Sequence, residues 1–198
     1  YATDPDLVHA VARLVTDYSL ETIELGLKLG ADIISLDGDL AHNLGTIMSP
    51  AHFREYIKPY YGEIVEFVQK QGVRIFKHTD GNHMDIFDDF IEIGFNGIHP
   101  IQPQCMDLAE VKRKYGEKIC LMGNIDCMET LVSGNTHEVE AEVRQAIAVA
   151  APGGGYILAS SNTIHPGVRA ENYIAMVKAA HKYGRYDEQG QPVGANHE

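Results

Sequence analysis

The sequence of 198 residues lacks the features that mark several classes of protein. It has no tryptophan, three cysteines, and no run of about 18 apolar residues that could span a membrane. Lysine and arginine number 16 against 28 acidic residues. The formal net charge of -12 argues against a nucleic-acid surface and against binding to an anionic membrane. Few cysteines, and an odd number of them, argue against a disulfide scaffold and fit a reducing, cytoplasmic compartment.

Short catalytic signatures are also missing. The sequence contains no Cys-x-x-Cys or His-Glu-x-x-His pattern of a metal site and no Gly-x-Ser-x-Gly nucleophile turn. The three glycines of residues 153–155 precede a predicted strand, so they lack the strand-to-helix context of a phosphate-binding loop. The function therefore has to be inferred from residues that are distant in the sequence.

Apolar periodicity predicts short strands that alternate with helices. The strands are predicted at residues 31–36, 73–78, 96–100, 118–122 and 156–159. No hairpin signal lies between two strand-like runs, so the strands are expected to be parallel, with right-handed crossovers. On this α/β pattern alone, the length favours an open doubly wound sheet over a (β/α)8 barrel, which typically needs about 250 residues.

Polar residues collect where the predicted strands end. In a parallel α/β fold the carboxyl ends of the strands meet at one edge, where ligands bind. We therefore expect a catalytic group of Asp37, His78 and Asp80. The residues expected to bind the small-molecule substrate beside this group are Asp39, His99, Asn124, Asp126 and Asn162.

Three chemistries are open to these residues. His78 and Asp80 could bind a metal with Cys105 or Cys127, because imidazole, carboxylate and thiolate ligands suit Zn²⁺. The same imidazole and carboxylate, or the two acids of the first strand exit, could instead do acid–base work. Nucleophilic catalysis by a thiolate or a serine is the third. A plainer alternative is that Asp80 only caps the helix predicted from Met84, since Asp is a strong N-cap.

Several short motifs occur together in a fixed order. They are Ser49-Pro50 with Arg54, Lys58-Pro-Tyr60, Lys77-His-Thr-Asp-Gly81, Met106-Asp-Leu108, Gly123-Asn-Ile-Asp126, Ala151-Pro-Gly-Gly-Gly-Tyr-Ile-Leu158 and Glu171-Asn172. This set resembles the uroporphyrinogen decarboxylase superfamily, which also contains corrinoid-dependent methyltransferases that act on methanol, methylamine and methoxy compounds. The resemblance implies a (β/α)8 barrel. The chain would supply about the fourth to the eighth strand, and so an incomplete barrel of five parallel strands.

The resemblance also bears on domain organisation. Residues 1–186 are expected to form one uroporphyrinogen decarboxylase-like domain, and residues 187–198 a polar tail. Five strands of a barrel leave two open edges, which invite pairing. We expect these edges to be covered in a homo-oligomer, or by residues upstream of Tyr1 if the chain is a fragment of a longer protein.

Two departures from the family pattern concern the site. The methyltransferases that the chain resembles hold zinc with a His-x-Cys pair and a later cysteine. Here Asp80 and Asn162 stand at about those two cysteine positions, so His78 would share a metal with oxygen ligands. The decarboxylases use basic residues and an aspartate from the first part of the barrel, together with a late Gly-His-Gly segment that residues 160–163 do not match.

Three functions follow from the resemblance. The first is a methyltransferase that moves a methyl group from a small donor, with zinc as cofactor and a corrinoid carried on a partner protein. The second is a decarboxylase of a porphyrinogen or another small carboxylic acid. It predicts basic side chains facing the pocket, and Lys77 and Arg169 are the candidates. The third is a non-catalytic member that binds a ligand or a partner protein.

Overall fold

A computed structural model describes residues 3–193 of the chain. Its strands, in chain order, are β1 (Ile33–Leu36), β2 (Ala41–His42), β3 (Gly45–Thr46), β4 (Arg74–His78), β5 (Gly97–His99), β6 (Cys120–Ile125) and β7 (Tyr156–Ser160). Its α-helices are α1 (Pro5–Lys28), α2 (Pro50–Tyr56), α3 (Lys58–Lys70), α4 (Phe87–Ile93), α5 (Leu108–Tyr115), α6 (Thr130–Ser133), α7 (Thr136–Ala150) and α8 (Ala170–Tyr183). A 3-10 turn, Met84–Ile86, precedes α4. No helix in residues 3–193 is both long and apolar enough to cross a membrane.

The large sheet has the strand order β1-β4-β5-β6-β7, and its strands are parallel. Each crossover therefore moves in the same direction, whereas the order of a doubly wound sheet reverses at one point. Right-handed crossovers that all move in one direction place the helices on one face, as in the wall of a (β/α)8 barrel. The order confirms the incomplete barrel and overturns the open doubly wound sheet that the pattern alone favoured.

The two faces of the sheet differ in exposure. Ile34, Ile75 and Leu121 point toward the helices and are at most 9% exposed, within the main hydrophobic core. On the opposite face, Ile33 is 50% exposed and Ile157 is 40% exposed. Both lie on edge strands, β1 and β7, which have one partner strand each within the described residues. That a second copy or a longer chain covers these edges stays a prediction.

Helix ends follow their capping residues, with one correction. Asp4 caps α1 and Ser49 caps α2 through side-chain oxygens, as the sequence predicts. The sequence predicts that Pro59 breaks or kinks the helix that follows Ser49. In the structure α2 ends before Ile57 and α3 begins after it. The sequence predicts Thr136 as the cap of a helix over residues 138–150. This prediction is wrong, because the side chain of Asn135 accepts from the amides of His137 and Glu138 in a capping box.

The hairpin formed by β2 and β3 was not predicted from any sequence pattern. It lies over the end of β4, where the amide of Asn82 donates to the carbonyl of His42 at 2.9 Å. Gly81 has φ +84°, and a Cβ there would lie 2.6 Å from the carbonyl carbon of Ala41. The close approach of two backbones, rather than a turn signal, places the hairpin.

The start of the predicted polar tail folds back onto the domain. Tyr186 forms an isolated antiparallel bridge with Pro192, and its hydroxyl donates to the carbonyl of Ala151 at 3.3 Å. Residues 194–198, the remainder of the predicted tail, lie outside the described residues.

Candidate functional site

A hollow of about 640 Å³ lies against the face of the sheet that the helices leave open. Its lining residues are Ile33, Ser35, Asp37, Phe76, His78, His99, Met122, Ile157, Ala159, Ser160, Asn162 and Thr163. The apolar wall was missed in the sequence, although alternation along a strand puts Phe76 on the same face as His78. The wall is apolar and the rim at the strand ends is polar, which is the usual composition of a small-molecule site.

His78 ends β4, and Asp80 follows it at the rim. The two side chains approach with His78 Nε2 at 3.9 Å from Asp80 Oδ1, which is too long for a hydrogen bond. Burial raises the pKa of the Asp80 carboxyl, and the neighbouring Asp39 carboxylate raises it further, while His78 opposes the shift. Asp80 does not cap the 3-10 turn at Met84, because the Met84 amide donates to the side-chain oxygen of Asn82 instead.

Asp39 joins this pair from the loop after β1. Its Oδ1 accepts a hydrogen bond from the backbone amide of Asp80 at 2.9 Å. Asp39, His78 and Asp80 each offer one ligand atom, and the three atoms lie within 4.8 Å of one another. The Oδ1 atom of Asp80 is buried and has no hydrogen-bond partner. An unpaired buried carboxylate oxygen is costly, so a bound cation would fit this position.

Two further side chains orient the ligand candidates. Asn162 donates from Nδ2 to Asp80 Oδ2 at 2.5 Å, which holds the carboxylate with its other oxygen turned toward His78. Nδ1 of His99 lies 2.7 Å from Nδ1 of His78, and burial lowers the pKa of His99. Residues from the ends of β1, β4, β5 and β7 thus meet at one point.

Residues 1–183 match the model of the uroporphyrinogen decarboxylase (URO-D) family. The chain belongs to this family. It is 28% identical over 178 residues to a methylcobamide:CoM methyltransferase of Methanosarcina barkeri, covering 90% of this chain and 50% of the relative. It is 24% identical over 190 residues to a uroporphyrinogen decarboxylase of Actinobacillus pleuropneumoniae, covering 92% and 50%.

A solved structure shows the same fold. The methyltransferase from Methanosarcina mazei superposes with a TM-score of 0.77 and 25% sequence identity, covering 91% of this chain and 50% of that one. The chain therefore spans about half the length of the relatives it matches. This agrees with a parallel wall that forms one part of a family barrel.

Within this family fold, two predicted pocket residues lie elsewhere. Asn124 is 8% exposed and donates to the carbonyl of Ile101 at 3.0 Å. Asp126 Oδ1 accepts from the amides of Met128 and Glu129 at 2.7 and 3.3 Å. Neither lines the hollow, because β6 runs three residues beyond its predicted end and alternation along it is interrupted at Gly123, where φ is +142°.

The cysteines and Asp37 stand apart from the three ligand candidates. Asp37 lines the hollow and accepts from the hydroxyl of Ser35 at 2.8 Å. Cys127 is buried, and its sulfur accepts from the hydroxyl of Ser161 at 3.3 Å. Burial, and then the charge of Asp80, raise the pKa of Cys105. Neither thiol belongs to the group that could hold a metal ion in the described part of the chain.

Lys77 faces away from the hollow, contrary to its predicted place as a pocket cation. Its ammonium donates to the carbonyls of Leu36 and Gly38 at 3.2 and 2.7 Å, and so fixes the loop that carries Asp37 and Asp39. Burial lowers its pKa to about 8, although the two aspartates oppose the shift. The signal was present in the sequence, since position 77 alternates with the hollow-facing position 78.

Proposed function

We propose that this protein is a metal-dependent methyltransferase of the uroporphyrinogen decarboxylase family. It would move a methyl group between a small donor, a corrinoid carried on a partner protein and a thiol acceptor. The observation that carries the proposal is the convergence of Asp39 and Asp80 on His78, which lines the hollow, with one buried oxygen of Asp80 left unpaired. The similarity to a methylcobamide:CoM methyltransferase supports methyl transfer.

The donor set fits a divalent metal. One imidazole and two carboxylates suit Zn²⁺ or a related first-row ion, and three protein ligands leave a position for substrate. Such an ion, when bound, supplies a Lewis acid that favours the deprotonated form of a thiol. Asp39, His78 and Asp80 would hold it, with Asp80 in the place of a family cysteine. The oxygen-rich set predicts weaker preference for soft metals than a thiolate site has.

The other residues of the hollow bind and orient the substrate in this proposal. Phe76, Met122 and Ile157 form an apolar wall that excludes water from one side of the bound molecule. Asn162 keeps the Asp80 carboxylate in one orientation, and Asp37 offers a hydrogen-bond acceptor in the lining of the hollow. A small, weakly polar methyl donor or thiol matches this lining.

Decarboxylation of a porphyrinogen or another small carboxylic acid is the second candidate, because uroporphyrinogen decarboxylases are also among the relatives. A polycarboxylate would need cationic partners. No lysine or arginine lines the hollow within residues 3–193. Lys77 is turned toward backbone carbonyls, and Arg169 is paired with Glu171 on the surface. The lining of the hollow in the described residues therefore favours methyl transfer.

The test is Asp80→Ala in the full-length protein, with Asp126→Ala as the matched control at another strand end. We expect Asp80→Ala to lower Zn²⁺ affinity and methyl transfer from methylcobalamin to a thiol by about tenfold or more, since loss of an outer-sphere partner alone costs that much. Asp126→Ala should leave both unchanged. Metal content would be measured by mass spectrometry and affinity by chelator competition.

The same measurements separate the alternatives. A metal-free wild-type protein that binds a polycarboxylate tightly would favour the decarboxylase. A protein that shows neither property, and in which His78→Ala changes nothing, would be a non-catalytic binding member. A cytoplasmic location stays a prediction in all three cases.

A further inference from the structure

Two histidine rings from neighbouring strands meet edge to edge beside the ligand candidates. β4 and β5 pair with His78 opposite His99. The two Nδ1 atoms are 2.7 Å apart, the ring centroids are 5.0 Å apart, and the ring planes are inclined by 29°. The centroid separation equals the nitrogen–nitrogen distance plus the two ring radii. The rings therefore share an in-plane hydrogen bond and do not stack face to face.

The position of the proton in this bond follows from the next contact. Nε2 of His99 lies 3.0 Å from the backbone carbonyl oxygen of Ser160. A carbonyl oxygen only accepts, so His99 Nε2 carries a hydrogen and donates it. In a neutral ring the other nitrogen of His99, Nδ1, then has a lone pair. The hydrogen between the two rings must therefore belong to Nδ1 of His78.

We propose that His99 is a positioning residue that holds His78 in the Nδ1–H tautomer, with the lone pair on Nε2. That nitrogen is the atom that lies 3.9 Å from Asp80 Oδ1. A ring nitrogen can bind a metal only through its lone pair, and a hydrogen bond at the opposite nitrogen is what fixes the tautomer. We call the two hydrogen bonds that join the Ser160 carbonyl, the His99 ring and the His78 ring the relay. The relay fixes the tautomer of His78 before a metal ion binds.

The relay gives the same result as the contact between Asn162 and Asp80. Asn162 occupies one oxygen of Asp80 and leaves Oδ1 unpaired. His99 likewise occupies one nitrogen of His78 and leaves Nε2. His78 and Asp80 are thus each held through one atom, and their other atoms face each other. The use of Nε2 for a metal rests on the proposed function, whereas the tautomer itself does not.

The experiment uses the full-length protein with ¹⁵N-labelled histidine, free of metal, at mildly alkaline pH where histidine rings are neutral. Nitrogen chemical shifts distinguish a protonated ring nitrogen from one with a lone pair. We expect the wild-type His78 to show protonated Nδ1 and unprotonated Nε2. His99→Phe keeps a planar ring of similar size but removes the acceptor, so this signature should be lost and Zn²⁺ affinity should fall about 10- to 100-fold.

His99→Asn is the rescue variant. Its amide oxygen is the same number of bonds from the backbone as Nδ1 of histidine, so it can accept from His78 Nδ1. It should restore the His78 signature and bring the Zn²⁺ affinity close to the wild-type value. A purely structural role for His99 would leave the tautomer of His78 unchanged in both variants.

The outcomes separate this inference from the proposed function. A hydrogen on Nε2 of wild-type His78, or a His99→Phe protein with unaltered tautomer and affinity, would overturn the inference while the metal site could stand. A wild-type protein that shows the expected tautomer but binds no Zn²⁺ would uphold the inference and remove the metal from the proposed function.

Discussion

The ends of β4 and β6 carry similar residues but use them differently. Each has a polar side chain two positions before an aspartate, His78 before Asp80 in one case and Asn124 before Asp126 in the other. At β4, Asp80 Oδ1 is buried without a hydrogen-bond partner and faces His78. At β6, Asp126 Oδ1 accepts from the next backbone amides of its own turn. Asp80 thus keeps one carboxylate oxygen free for a ligand, whereas Asp126 uses its Oδ1 to cap the backbone of its own turn.

The difference lies in what surrounds each strand end. Asp80 is contacted by Asp39 from the β1 loop and by Asn162 from the β7 loop, which are distant in the chain. The amide of Asp126 donates to Glu142 of α7 at 2.7 Å, and burial raises the pKa of Glu142. An aspartate at a strand end is thus a ligand candidate when side chains from other strand ends surround it. It is a cap when the backbone amides of the turn that follows it donate hydrogen bonds to its carboxylate.

The largest effect on stability is expected from Gly81→Ala, which disturbs the contact between the end of β4 and the hairpin of β2 and β3. The new methyl group would lie 2.6 Å from the carbonyl carbon of Ala41, and φ is +84°. Backbone strain and overpacking together should lower the free energy of unfolding by about 4 kcal/mol. Chemical denaturation would measure this loss. Gly153→Ala is the matched control, because φ is +76° but nothing lies within 4 Å. Equal losses in the two variants would show that only backbone strain matters.

This hairpin marks where prediction from sequence stops. The strands, most helix ends and the polar strand exits are local patterns, so the parallel alternation was readable from the sequence. The hairpin depends on Gly81 meeting Ala41 across 40 positions, and no short-range pattern encodes such a contact. The incomplete barrel was likewise not derivable from periodicity. It was expected from the resemblance and was confirmed by the strand order.

The second prediction concerns Lys77, which ties the β1 loop to the β4 end. Burial lowers its pKa to about 8. Below that pH both the folded and the unfolded protein hold the proton, so the full free-energy cost of burying the charged ammonium lowers the stability. Between about 8 and the ordinary lysine value, the folded protein has released a proton that the unfolded chain keeps. Stability therefore rises with pH in this window, by about 3 kcal/mol in total.

Lys77→Met isolates this effect from the other groups that titrate at high pH. The free energy of unfolding of the wild type, relative to the variant, should increase as the pH rises from about 8 to about 10. Urea denaturation at several pH values would measure it. A difference that stays flat across the window would mean that the ammonium is not desolvated in the folded protein.

The candidate site shows a second limit of sequence analysis. The positions of Asp37, His78, His99 and Asn162 in the lining of one hollow follow from the rule that parallel strands end at one edge. Asp80 lies beside His78 and Asn162 for the same reason. Asn124 and Asp126 satisfied the same rule and lie elsewhere. Tertiary packing sets the length of β6 and brings Gly123 so close to Pro100 that a Cβ would lie 2.0 Å from the Pro100 carbonyl oxygen. Spacing predicts which edge a residue occupies, and the surrounding contacts decide its use.

The smallest effect is expected at the β6 end and tests the comparison directly. Asp126→Ala removes the acceptor for the amides of Met128 and Glu129, which should lower the free energy of unfolding by about 1 kcal/mol, as for other lost caps. Asp126→Asn keeps an oxygen at the same position and should be nearly neutral. Asp80→Asn also keeps the shape but removes the negative charge that a metal needs, so Zn²⁺ affinity should fall there alone. If the two Asn variants behaved alike in stability and in metal binding, the two strand ends would not differ in use.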